Sequence, residues 1–140
     1  MTRSPRPPWL PVTAMAKAPA RSDSEVPAAT RRLLLARAGG RCESCGADLD
    51  ISRYSLHHRR PVGMGGSRAA DLHCPSNLLV LCGRDNRDGC HGAVHSHPTD
   101  AREAGLLVRR AATPARVPVL IHGVRLVLLS PDGSYIPETS

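Results

Sequence analysis

Four cysteines in two separated clusters constrain this chain more than any other feature. Cys42-x-x-Cys45 and Cys82-x7-Cys90 offer four thiolates from two loops. A two-residue spacer lets one loop fill adjacent corners of a tetrahedron, as zinc requires; the longer second spacer is less standard. A fifth cysteine, Cys74, is left over and reads as a free thiol. An odd count with histidines near both clusters favours metal ligation over a disulfide framework. The rival readings are weaker. No βαβ pattern surrounds the Cys-x-x-Cys to make it a redox motif, and haem attachment would need a cysteine where Arg87 stands. The chain also needs such a staple. Of its 140 residues 41% are hydrophobic, yet only Trp9, Tyr54 and Tyr135 are aromatic and there is no Phe. A core of Leu, Val, Ala and Ile buries less area per residue, so structural Zn²⁺ on Cys42, Cys45, Cys82 and Cys90 is the expectation.

The formal charge of +7 is unevenly placed. Residues 1–41 carry eight basic side chains against Asp23 and Glu25, a balance of +6, whereas residues 42–140 carry eleven basic and ten acidic ones, a balance of +1. Lys17 is the only lysine. The arginine bias fits a GC-rich genome, and it equally suits phosphate contact, where the planar guanidinium fork matches the ligand. The positive balance suggests a polyanionic partner. No apolar run approaches the ~20 residues of a membrane span, and the N-terminal stretch lacks the apolar segment of a secretory signal. No membrane partner and a cytoplasmic location are therefore expected.

Along the chain, residues 1–26 are rich in Pro, Ala, Ser and Arg and read as a disordered basic arm, with Met15 an alternative start. Residues 27–110 read as the central domain and 111–140 as a C-terminal extension. A helix is predicted over 27–38, with Leu33, Leu34 and Ala38 on one face and Arg31, Arg32 and Arg37 on or beside the opposite one. Strands are predicted at 53–58 and 77–82, separated by a long Gly-rich loop over 61–76. Helical spacing follows at 90–97, is limited by Pro98 and resumes over 99–106 with Thr99 or Asp100 as cap. Residues 117–135 read as two strands joined at His122-Gly123, then a Ser-Pro-Asp-Gly turn. The class is α+β.

The histidines add chemistry. His57-His58 close a strand, where neighbours point to opposite faces or diverge at its end, so one can ligate a metal while the other faces substrate. His91-x-x-x-His95 places two imidazoles one helical turn apart on one face. Three neutral imidazoles with open positions make a catalytic rather than a structural site, and a fourth histidine is a natural general base near neutral pH. Arg59 and Arg60, directly after the pair, are placed to hold phosphates, with Arg53 and His97 as weaker candidates. His73 and His122 read as loop and turn residues.

In order, GRCESCG, LHHRRPVGMGGS, SNLLVLC and GCHGAVHSHP resemble the HNH endonuclease family over about residues 29–110. The resemblance implies a ββα-metal fold stapled by the four-cysteine zinc site, preceded by a helix and followed by a short β-hairpin. It assigns His57 to the catalytic metal and His58 to the general base. Asn77 matches the family's Asn, which pins the intervening loop and orients the base, and His91 and His95 match the ligands of the closing helix. Three histidine ligands, in place of the commoner form with an Asp before the base, leave Mg²⁺, Mn²⁺, Ni²⁺ or Zn²⁺ open, since Mg²⁺ prefers oxygen donors. The implied activity is metal-dependent hydrolysis of DNA phosphodiesters. The stretch GLLVRRAATPARVPVLIHGVRLVLLSPDGSY is similar to small HNH proteins of actinobacterial phages and prophages, so phage terminase and packaging proteins are expected partners. The competing expectations are a zinc-structured DNA-binding module and a packaging accessory, neither with cleavage activity of its own.

Overall fold

The computed structural model describes residues 26–50, 52–60, 72–85 and 87–138. The expected basic arm, save Val26, and most of the Gly-rich loop lie outside the described residues. The fold is α+β, with a few helices and two small antiparallel sheets. Helix α1 spans Ala28–Ala38, strand β1 Tyr54–His58 and strand β2 Leu78–Cys82. Helix α2 spans Gly89–Ser96, helix α3 Pro98–Glu103, and strands β3, β4 and β5 Val119–Ile121, Arg125–Leu129 and Tyr135–Pro137.

The β1–β2 hairpin divides the core. Its register pairs Leu56 with Val80, His57 with Leu79 and His58 with Leu78. Side chains alternate across the pleat. Leu56, Leu78 and Val80 therefore pack with Val26, Leu34 and Ala38 of the α1 side. Leu79 and Leu81 face the other way, into a cluster with Val94, Ala101, Leu106, Val119, Ile121, Val127 and Leu129. Being covered on both faces explains why β2 is an unbroken apolar run rather than an alternating one.

Four expectations are corrected. Leu33 does not share the buried face of α1: it is 45% exposed, while Leu34 and Ala38 are buried. The second helical segment is not capped by Thr99 or Asp100. His97 leaves helical geometry at φ −130°, and Pro98 takes the first position of α3, where its missing N–H costs nothing. Residues beyond 110 are no appendage, since β3 and β4 supply four residues of the larger core. Nor do they stop at a hairpin. After a turn closed by Gly133 N–H donating to Ser130 O (3.0 Å), β5 pairs with β4 as a third strand.

Candidate functional site

The four cysteines of the two clusters come together, with sulfurs all within 4.8 Å of one another. The first loop is shaped by its backbone: Cys42 N–H donates to Ala47 O, Gly46 N–H to Cys42 O, and Glu43 N–H to Val80 O, which docks the knuckle on β2. The long second spacer is folded back tightly. Gly83 and Gly89 both have positive φ, and a Cβ would collide with the carbonyl of Asp88 at the first and with that of Cys82 at the second. That close approach returns Cys90, in the first turn of α2, to Cys82, and Cys90 N–H lies 3.3 Å from Cys82 Sγ. Cys45 and Cys82 sulfurs stand 3.9 Å apart. Zn–S bonds of ~2.3 Å give a tetrahedron edge of ~3.8 Å, so the donor set fits structural zinc. Hydrogen bonding from Cys90 pulls the Cys42 thiol down to about 4, against burial; the same contact pushes Cys90 up, and burial raises Cys82. Bound zinc would deprotonate all four. Cys74 stays outside this group and accepts a hydrogen bond from Ser76 Oγ at 3.2 Å.

A second cluster is made by His57, His91 and His95, whose ring nitrogens also lie within 4.8 Å of one another. His57 comes from β1; His91 and His95 are one turn apart on α2, with ring centroids 5.0 Å from each other and 5.4 and 6.3 Å from His57. Burial is graded: His57 is buried, His91 half-buried and His95 exposed, so one side of the cluster faces solvent. His57 Nε2–H donates to Leu106 O at 2.8 Å. That carbonyl fixes the tautomer with the lone pair on Nδ1, as ligating histidines require. Burial, first of all, holds His57 down to about 3, so it is neutral at physiological pH. The donors thus fit a divalent ion with solvent-facing positions.

His58 is also buried, on the opposite side of the strand, with Nε2 3.2 Å from His73 Nδ1. Asn77 is fully buried beside it: Oδ1 accepts from Arg60 N–H and Nδ2 donates to Leu72 O, both at 2.9 Å. This side chain clamps the two ends of the long loop together.

The arginines behave differently from expectation. Arg59 is fully buried, not a phosphate contact. Its guanidinium donates to four carbonyls, those of Gly105, Ser76, Pro114 and Val117, at 2.7–2.9 Å. Burial lowers it to about 10, so it remains a cation held by carbonyl dipoles. Arg60 is half-buried and donates to Ala112 O at 3.0 Å. Arg53 is exposed and pairs with Asp88 at 3.2 Å. Arg37, placed by its spacing on or beside the open face of α1, instead grips Glu43 in a bidentate pair at 2.8 Å and donates to Pro75 O and Leu78 O. Glu43 also accepts from Tyr135 Oη (2.6 Å), tying β5 to the knuckle. His97 lines an apolar cavity of about 290 Å³ with Cys90, Val94, Ala101 and Leu106.

No protein-family model matches this chain, and neither a curated protein nor a solved structure does. Among the described residues no helix is long and apolar enough to cross a membrane.

Proposed function

We propose that this chain is a metal-dependent endonuclease of the HNH type that hydrolyses DNA phosphodiester bonds in the cytoplasm of a bacterial or phage-infected cell. The observation that carries the reading is the open cluster of His57, His91 and His95 at the end of a β-hairpin whose next residue is His58. The succession of β1, β2 and α2 agrees with the ββα-metal arrangement the motifs imply. A divalent ion on the three imidazoles would supply Lewis-acid polarisation of the phosphoryl group and steady the departing oxygen. Imidazole donors favour Mn²⁺, Ni²⁺ or Zn²⁺ over Mg²⁺.

The chain's own residues have these roles. His58 accepts a proton from water; the water oxygen bonds to phosphorus in line as the bond to the 3′ oxygen breaks, leaving a 5′-phosphate and, after protonation, a 3′-hydroxyl. Asn77 braces the backbone two residues beyond the base, at Arg60, and ties it to Leu72. Arg59 acts through the fold, by joining the end of β1 to the segments around Ser76, Gly105, Pro114 and Val117.

The test is nicking of supercoiled plasmid by purified protein with Mg²⁺, Mn²⁺, Ni²⁺ or Zn²⁺. Cleavage by the wild type and a loss of at least ~100-fold in His58→Ala is expected, the usual scale for removing a general base. DNA binding without nicking under every metal would leave a zinc-structured binding module or a packaging accessory.

A further inference from the structure

Cleavage at the histidine cluster needs the DNA backbone held beside it, and the arginines nearest in sequence to His58 are spent elsewhere. Arg59 and Arg60 donate to carbonyls, and Arg53 pairs with Asp88. Two others are not spent. Arg102 and Arg109 are exposed, and among the described residues neither guanidinium has a hydrogen-bond or ion-pair partner. Together with Thr99 and Glu103 they line a surface cavity of about 360 Å³.

Both walls of this cavity start from the histidine cluster. One is α3, which begins three residues after His95. The other is the segment 106–109. Leu106 supplies the carbonyl that holds His57 Nε2 at 2.8 Å. The N–H groups of Leu106 and Leu107 both reach Ala101 O of α3, at 2.8 and 3.3 Å, and Val108 N–H donates to Arg59 O at 2.9 Å. The run from Leu106 to Val108 is thus pinned to α3 and to the end of β1, and Arg109 is the next residue. Three extended residues span at most ~10 Å, about the rise of three nucleotides along one strand.

We propose that Arg102 and Arg109 hold a DNA phosphate flanking the one that is cleaved, so that the backbone runs from the histidine cluster into the cavity between α3 and the segment 106–109. The inference rests on the nuclease reading and says where its substrate lies. Each unpartnered guanidinium presents a planar fork of donors that matches phosphate oxygens, and the Thr99 hydroxyl adds a neutral donor. Contacts of this kind fix register and affinity and carry no base information. Glu103 shares the cavity, and its carboxylate also lacks a partner among the described residues. It repels a phosphate there, so its removal and that of the arginines should act with opposite signs.

The experiment measures binding of the full, zinc-loaded chain to a short DNA duplex by fluorescence anisotropy over a range of salt, with no other divalent ion added. Plasmid nicking with Mn²⁺ is followed beside it. Arg102→Ala combined with Arg109→Ala should weaken binding roughly 10-fold at about 0.1 M salt and reduce the slope of log Kd against log salt by about 1, the signature of one lost phosphate contact. Glu103→Gln should tighten binding by about twofold. The comparison is Arg32→Ala, which removes an exposed arginine from α1 on the other face of the hairpin and should change Kd by less than about twofold. Both cavity arginines are exposed, so their replacement should leave the fold intact, which a circular dichroism melt verifies. Unchanged affinity in the double variant, an equal loss in Arg32→Ala, or a wild type that binds no duplex at low salt overturns the assignment. A wild type that binds but nicks with no metal overturns the nuclease reading alone; a selective loss in the double variant then still supports the phosphate contact.

Discussion

The two ligand clusters share α2 yet are built on opposite plans. The cysteine cluster is closed: its four donors suffice for a tetrahedral ion, its loops are locked by backbone hydrogen bonds, and two glycines with positive φ permit the return of Cys90. The histidine cluster is open: three donors, graded from buried His57 to exposed His95, with a carbonyl setting one tautomer. A closed set of soft donors holds a fold together, whereas an open set of imidazoles leaves room for water and substrate. Zinc removal and disruption of the histidine cluster should therefore have separable consequences.

The largest effect expected is at the closed site. Cys82→Ser, or chelation strong enough to strip zinc, should unfold the chain or lower Tm by tens of degrees, because metal binding in such sites is folding free energy. Circular dichroism melts with metal analysis check this, and an apo protein melting at the wild-type temperature would erase the distinction between the two sites. Next, Arg59→Ala should cost about 3–5 kcal/mol in urea unfolding, since it orphans four buried carbonyls. A cost under about 1 kcal/mol would return Arg59 to the surface role its sequence position suggests.

The histidine site should respond more quietly. His95→Ala, at an exposed position, should weaken Mn²⁺ or Ni²⁺ binding by at least ~10-fold in calorimetry while changing the metal-free stability by less than about 0.5 kcal/mol. The same site should also carry a pH slope. Burial depresses His57 to about 3, below its unfolded value of ~6.5. The unfolded chain therefore binds the extra proton between those values, so the contribution is fully present above about pH 6.5 and declines as pH falls toward 3. Urea titrations of protein freed of metal at this cluster should show that decline, and His57→Asn should flatten it. Equal slopes in both would exclude the depressed imidazole.

What the sequence disclosed, and what it hid, follows the same division. The cysteines and the three clustered histidines were legible because metal-ligand spacing is a local signal: Cys-x-x-Cys, a strand end and an i,i+4 helical pair each declare themselves. Arg59 was not, because strand alternation does not reveal whether a cation beyond the last strand residue turns inward to carbonyls that are distant in sequence. Arg37 was missed for the same reason, its partner Glu43 standing as a mere spacer inside the knuckle. His73 had no signal at all, being brought to His58 only when Asn77 closes the loop. β5 is three residues ending in Pro137, too short for any periodicity to register. The charge asymmetry is likewise narrowed. Of the arginines read as a basic face of α1, Arg37 is consumed by Glu43 and Arg31 donates to Tyr54 Oη at 3.1 Å, while Arg32 is exposed.

The proposed division is between a structural zinc on the cysteines and a catalytic ion on the histidines, and a single titration separates them. Protein carrying its native metal is treated with increasing EDTA, and zinc content by native mass spectrometry is followed beside plasmid nicking. Nicking should cease while one zinc and the folded state are retained, and added Mn²⁺ or Ni²⁺ should restore it. Loss of zinc, fold and nicking in a single step, or no nicking restored by any divalent ion, would refute the division of labour.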